Sequence, residues 1–212
     1  MNLLLTFVTS MLLGMRHATD PDHVVAVSTI VSRERSVWKS SGIGALWGIG
    51  HTLTIFLVGG AIIVFKLAFT PRLGLSLEFT VALMLMLLGV LNLLNIPARP
   101  ATTTNMRPFF VGVVHGLAGS AAATLLILPL IEDLRWAILY LVVFGVGTIA
   151  GMAFITMAVA APAVFAAERV HGLQRWIRMT SGAVSLAFGV YLGYKIGFVD
   201  GLFTTVPKWI PQ

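Results

Sequence analysis

Long apolar stretches separated by short polar linkers run along the whole chain. Each stretch is close to the length of about 20 residues that a helix needs to cross the hydrocarbon core of a bilayer. The six stretches cover residues 2–32, 42–66, 77–96, 108–131, 136–166 and 176–197. The pattern predicts an all-α integral membrane protein with six transmembrane helices, in one polytopic domain over residues 1–212.

Composition and charge agree with a multi-pass protein of the cytoplasmic membrane. Of the 212 residues, 58% are hydrophobic and only 10% are charged, against about 25% charged residues in a soluble domain. The net charge is +6, but the basic residues are dispersed over the linkers. Their distribution is a topology signal that favours both termini outside, so we expect a lipid bilayer and no nucleic acid as partner. The chain has no cysteine, which excludes disulfides and cysteine-ligated metal sites.

The two halves of the chain, residues 1–100 and 101–212, carry similar motifs at matching positions. His115 in the fourth predicted helix corresponds to His17 in the first, and Gly147-Thr148 corresponds to Gly50-His51. Since three helices per half is an odd number, the second copy must be inverted in the membrane. The sequence therefore predicts a 3+3 inverted repeat, with a binding site where the two repeats meet at mid-membrane.

The first apolar stretch is interrupted by a polar segment that contains a proline. Pro21 lacks a backbone N–H, and its ring clashes with the carbonyl four residues before it. Asp20 is pushed out of helical dihedral angles by the proline that follows it. Asp20-Pro21 is also a favourable N-cap followed by proline at the first helical position. We therefore predict that helix 1 breaks near Pro21, inside the membrane.

The break brings a set of metal-binding side chains into reach of one another. On a continuous helix, His17, Asp22 and His23 would point in different directions. Unwinding lets the three converge and leaves the His17 carbonyl as a further oxygen donor. Such nitrogen and oxygen ligands suit Ni(II), Co(II), Cu(II) or Zn(II). We predict that His17, Asp22 and His23 bind the metal.

An alternative is that Arg16, Asp20 and Asp22 are loop residues at the membrane surface. The apolar sequence on both sides argues against it, because ionisable groups at membrane depth are costly and usually functional. Arg16 is then interpreted as a counter-charge to Asp20 or Asp22, since a guanidinium group cannot bind a metal ion.

Three further polar residues are candidates for the site or its surroundings. His51 lies early in the second predicted helix and is the expected fourth ligand, with Thr52 placed to hydrogen-bond its ring. His115 occupies the repeat-related position in the fourth helix, where it could be a ligand, a relay or a structural residue. Together with Asp20 and Arg16, Thr52 and His115 are predicted to surround the ligands or line the pathway.

These motifs resemble those of a known family of membrane transporters. Residues 17–23 resemble the HxxxxDH signature of the nickel/cobalt transporter (NiCoT) family, and residues 50–56 are similar to its second motif. The stretch 114–120 resembles that of the compact UreH-type nickel permeases. Larger members of the family carry acidic motifs in the second half that have no counterpart here. The resemblance implies uptake of metal by a permease that does not use ATP.

The sequence thus predicts a secondary permease that takes up Ni²⁺ or Co²⁺ across the cytoplasmic membrane. It predicts no enzyme and no cofactor besides the transported ion, and it is compatible with a homo-oligomer. A membrane metalloprotease would carry HExxH, and no histidine here is followed by glutamate. A non-transporting membrane subunit or a metal-dependent assembly factor is the alternative function.

Overall fold

The computed structural model describes residues 3–65, 70–96, 106–118, 133–167, 169–170 and 172–209. The secondary structure within these ranges is helical, without β-strands. The helices are α1 (Leu3–His17), α2 (Pro21–Val31), α3 (Val37–Phe65), α4 (Pro71–Leu93), α5 (Arg107–Gly116), α6 (Leu134–Ala167) and α7 (Leu173–Tyr194), and a π-helical turn, Lys195–Val199, follows α7.

Four of these helices are long and apolar enough to cross a membrane. The spans are Val37–Ala61, Pro71–Leu93, Arg135–Ala167 and Leu173–Val199, the last of which includes the π-helical turn. They match the second, third, fifth and sixth predicted helices. Large apolar side chains on their outer faces are exposed, among them Leu57, Leu87, Phe154 and Val190. A continuous apolar surface of this kind needs lipid to cover it. The protein is therefore an α-helical membrane protein.

The count of six transmembrane helices stays a prediction. The first predicted helix consists of the two shorter helices α1 and α2. The fourth predicted helix, 108–131, begins within α5, but most of it lies outside the described residues.

The break predicted near Pro21 is present, since α1 ends at His17 and α2 begins at Pro21. Asp20 has an extended backbone, with φ −60° and ψ 142°. One detail of the prediction is wrong, since the Asp20 side chain makes no capping hydrogen bond to α2. The His17 carbonyl accepts a hydrogen bond of 3.1 Å from the Asp20 N–H as the connecting turn closes. A carbonyl oxygen has a second lone pair, so its role as a metal ligand stays a prediction.

Glycines bring α1 into close contact with α6. Gly14 of α1 lies against the backbone of Phe144 and Thr148, and Gly147 of α6 lies against the backbone of Met11. A Cβ atom at either glycine would collide with main-chain atoms of the other helix. The two glycines therefore set the distance between the helix axes.

The contact between α5 and α3 is built in the same way. Gly112 of α5 lies against the backbone of Trp47, and Gly50 of α3 lies against the backbone of Phe109. The same glycine positions are used in both contacts. Gly14 in the first half and Gly112 in the second each stand three residues before a histidine. Gly50 in the first half likewise corresponds to Gly147 in the second.

This reciprocal pattern agrees with the correspondence between the halves that the sequence suggests. The 3+3 inverted repeat as a whole nevertheless stays a prediction, since part of the second half lies outside the described residues.

A buried asparagine holds the far end of α2. The Asn92 amide of α4 donates hydrogen bonds to the Thr29 carbonyl at 3.0 Å and to the Ser32 hydroxyl at 2.9 Å. Arg178 of α7 in turn donates to the Asn92 carbonyl. Because both ends of α2 are fixed, the side chains at its first turn have a defined position.

Candidate metal site

Four histidines from four helices and a carboxylate of α2 meet at the break. His17 is the last residue of α1, while His23, His51 and His115 project from α2, α3 and α5. The centre of the His23 ring lies 4.5 Å from that of His17, 5.1 Å from that of His51 and 4.1 Å from that of His115. His23, His51 and His115 are all at most 2% exposed. The chain thus concentrates imidazoles in its interior.

One group of ligand atoms comes from His17, His23 and His51. One ring nitrogen from each residue lies within 4.8 Å of the other two. The Nε2 atoms of His17 and His51 are 3.1 Å apart. Two nitrogens that each lie about 2.0–2.1 Å from one ion are separated by roughly 3 Å when they occupy adjacent coordination positions. The spacing of this pair therefore suits a single transition-metal ion.

A second group consists of Asp22, His23 and His115. The Asp22 carboxylate links the two rings, with Oδ1 at 3.0 Å from His23 Nδ1 and Oδ2 at 2.9 Å from His115 Nε2. These ligand atoms also lie within 4.8 Å of one another. His23 belongs to both groups, so the structure offers two overlapping positions for a cation.

The predicted ligands His17, Asp22, His23 and His51 are thus brought together, although in an arrangement that the sequence did not predict. Asp22 groups with His23 and His115, while the group around His51 consists of histidines only. His115, for which the sequence left three roles open, has ligand geometry.

Asp20 contacts His17 from outside the cluster. Its Oδ2 lies 2.7 Å from Nδ1 of His17, and this contact leaves Nε2 of the same ring facing His51. Carboxylates that hold the other nitrogen of a metal-binding histidine fix the orientation of the ring and raise its basicity. Asp20 is therefore placed as a positioning residue, a role that agrees with its predicted place next to the ligands.

Three imidazole nitrogens of the cluster are buried without a hydrogen-bond partner among the described residues: Nε2 of His23, Nδ1 of His51 and Nδ1 of His115. A buried polar atom left unpaired costs about 1–3 kcal/mol, and such atoms are rare in native proteins. The rings of the cluster therefore have hydrogen-bonding capacity that the described residues do not use, and a set of nitrogen and carboxylate donors suits Ni(II), Co(II) or Zn(II).

Two predicted neighbours of the site have other contacts. Thr52 donates to the Gly145 carbonyl at 3.3 Å, so its hydroxyl joins α3 to α6 instead of bonding the His51 ring. Arg16 is exposed and, among the described residues, forms no ion pair with Asp20 or Asp22. Both carboxylates contact histidines instead, because the break turns them towards the cluster. The counter-charge interpretation of Arg16 is therefore not supported.

A cavity of about 210 Å³ adjoins the cluster. Its lining includes Asp22, His23 and His115 of the cluster and Glu78 of α4. Sequence reasoning passed over Glu78, although an ionisable residue in an apolar helix is itself a functional signal. It also passed over Trp47, whose ring centre lies 5.4 Å from those of His23 and His115. A lone tryptophan in an apolar helix gives no such signal.

The fold and the site define an α-helical membrane protein with a buried candidate site for a transition metal. The chain is 35% identical over 220 residues to the urease accessory protein UreH of Bacillus sp. (strain TB-90), a match that covers 95% of this chain and 96% of the relative. The chain therefore belongs to the UreH family, and the resemblance seen in its motifs is confirmed.

A second relative is more distant. The chain is 24% identical over 222 residues to the chloroplast protein FOR GROWTH AND FERTILITY 1 of Arabidopsis thaliana. That match covers 90% of this chain and 60% of the plant protein. No protein-family model matches the chain, and no solved structure matches it.

Proposed function

We propose that this protein is a secondary permease that carries Ni²⁺ or Co²⁺ across the cytoplasmic membrane, in the direction of uptake. The observation that supports the proposal best is the cluster of four histidines and Asp22 around the break between α1 and α2. Ionisable residues inside a membrane protein mark ion pathways as a rule. Broken helices at mid-membrane are the usual place for a transporter's substrate site.

The overlap of the two ligand groups suits a site that must release its ion. Asp22, His23 and His115 line the cavity, as does His17 of the other group, whereas His51 does not. Because the two groups adjoin at His23, an ion that leaves one group has ligands of the other within reach. Ligand exchange of this kind avoids a fully uncoordinated ion inside the membrane.

Uptake by purified protein in liposomes tests the proposal. Vesicles that contain the protein should accumulate nickel above the level of protein-free vesicles, and His23→Ala should abolish the accumulation. His171→Ala is the matched control, because the sequence places this fifth histidine in a polar linker, and it should retain uptake. Competition with Co²⁺ and Zn²⁺ then ranks the ions, which ligand type alone does not do. Equal uptake by the wild type and His23→Ala would contradict the assignment of the site.

The name of the bacterial relative, a urease accessory protein, favours a second function. A urease accessory protein could act as a non-transporting membrane subunit or as a metal-dependent assembly factor. Such a protein would bind nickel in detergent, with loss of binding in His23→Ala, and yet move no nickel into liposomes. Binding without transport would therefore select this alternative.

A further inference from the structure

Glu78 is a half-buried carboxylate in the lining of the cavity beside the cluster. It lies near the start of α4 and lines the same cavity as Asp22 and His23. Among the described residues it forms no ion pair; Lys195, which is near enough to act on it electrostatically, pairs with Asp200 at 4.0 Å. A carboxylate in an apolar helix without a cation in contact with it is costly, and ionisable groups of this kind are usually functional.

The hydrogen-bond partner of Glu78 comes from the C-terminal segment. The indole Nε1 of Trp209 donates to Glu78 Oε1 at 2.9 Å. The Trp209 ring lies directly against Gly74, one turn earlier in α4, where a Cβ atom would collide with it. A neutral indole N–H orients a carboxylate but does not neutralise it. Glu78 is therefore held in place, and no cation among the residues that the structure describes is in contact with it.

The segment that carries Trp209 folds back over the start of α4. Gly201 makes the turn with a φ of +87°, and the Lys208 N–H bonds to the Asp200 carbonyl at 2.7 Å. Arg72 of α4 donates to the Thr204 carbonyl at 3.2 Å. These contacts place Glu78 at the end of the cavity near the C-terminal segment, on the side that the charge distribution predicts to be external.

We propose that Glu78 is a separate binding position for the incoming divalent cation, ahead of the histidine cluster. The carboxylate attracts the hydrated ion into the cavity, from which the ion moves to Asp22, His23 and His115. The hydrogen bond from Trp209 orients the carboxylate towards the cavity. The inference rests on the proposed binding of metal by this cluster. It adds a residue that neither of the motifs 17–23 and 50–56 contains.

The test separates the charge of Glu78 from its structural contact. In Glu78→Gln the side chain still accepts the Trp209 hydrogen bond, but the charge is gone. Nickel association with the detergent-solubilised protein is followed by quenching of tryptophan fluorescence, for which Trp47 beside the cluster is the reporter. A single focused charge near a binding cleft changes association rates by about tenfold. We expect Glu78→Gln to slow association by about that factor and to raise the KM of liposome uptake similarly, with kcat nearly unchanged.

A control variant and a variant of the hydrogen-bond partner make the result specific. Asp133→Asn removes an exposed carboxylate at the start of α6 and should leave association and KM as in the wild type. Trp209→Phe keeps a ring against Gly74 but removes the N–H that orients Glu78, so it should slow association by less than Glu78→Gln does. Wild-type kinetics in Glu78→Gln, or equal slowing in Asp133→Asn, would overturn the role of Glu78 while leaving the histidine site intact. Absence of nickel binding by the wild type would overturn both.

Discussion

His17 Nε2 and His51 Nε2 lie 3.1 Å apart, although 34 residues and the whole of α2 separate the two side chains along the chain. The contact depends on the break after His17, since this break ends α1 beside α3 and presents its last residue to that helix. It also depends on glycines, which allow the helices around the site to approach at main-chain distance. The arrangement of the ligands is thus a property of the backbone as much as of the side chains.

Replacing Pro21 by Ala should weaken nickel binding although no ligand is altered. Alanine supplies the missing backbone N–H and removes the ring that blocks a continuous helix. The helix would then tend to extend through residues 18–20, which turns His17 away from His23. We expect roughly a tenfold loss of affinity, at the low end of what loss of ligand-orienting groups costs, measured by calorimetry in detergent.

Pro162→Ala is the control for this substitution. Pro162 lies inside α6, which continues past it to Ala167, so its replacement should leave the affinity for nickel unchanged. Without metal, Pro21→Ala should melt no lower than the wild type. Unchanged nickel affinity in Pro21→Ala would show that the break does not assemble the site.

Asp22 and His115 should contribute to nickel binding as a coupled pair. Their 2.9 Å contact implies that Asp22→Asn and His115→Ala remove parts of one unit. Calorimetric affinities of the two single variants and the double variant should give a coupling free energy of about 1–3 kcal/mol. Asp20→Asn combined with His115→Ala provides the comparison, because Asp20 contacts His17 instead. This second pair should be additive to within about 0.5 kcal/mol. If the binding free energies were additive in both pairs, Asp22 and His115 would not bind the ion at one common position.

Gly112→Ala should destabilise the protein in detergent. The added methyl group would meet the main chain of Trp47 and force α5 away from α3. Overpacking of this kind costs about 1–3 kcal/mol, so the melting temperature should fall and nickel binding should weaken with it. Gly42→Ala adds the same methyl group to α3, where nothing lies within 4 Å, and should have little effect. Equal melting temperatures for the two variants would show that the α3–α5 contact does not require glycine.

Reporter fusions after Arg35 and after Gln212 should report opposite compartments. With six transmembrane helices in a 3+3 inverted repeat, both termini lie outside and the linker after α2 lies inside. This test covers the part of the chain that the structure does not describe. The same compartment for both fusions would contradict the six-helix count.

The elements of the fold could be predicted from the sequence because their causes are local. An apolar stretch of sufficient length forms a membrane helix wherever it stands, and four such stretches appear as long apolar helices. The break is local too, since Pro21 removes an N–H and restricts Asp20 whatever surrounds them. For the same reason, the sequence could predict that His17, Asp22 and His23 would gather near that break.

The tertiary structure decided which groups these residues form. Asp22 bonds to His115, 93 residues away, and Glu78 is held by Trp209, 131 residues away. No local pattern specifies such pairs, because they depend on how α2 and α5, or α4 and the C-terminal segment, pack against each other. The contacts of Thr52 were also decided by tertiary packing. Its hydroxyl was predicted to bond the His51 ring, but it donates to the Gly145 carbonyl of α6, since a donor between packed helices takes the acceptor that those helices supply.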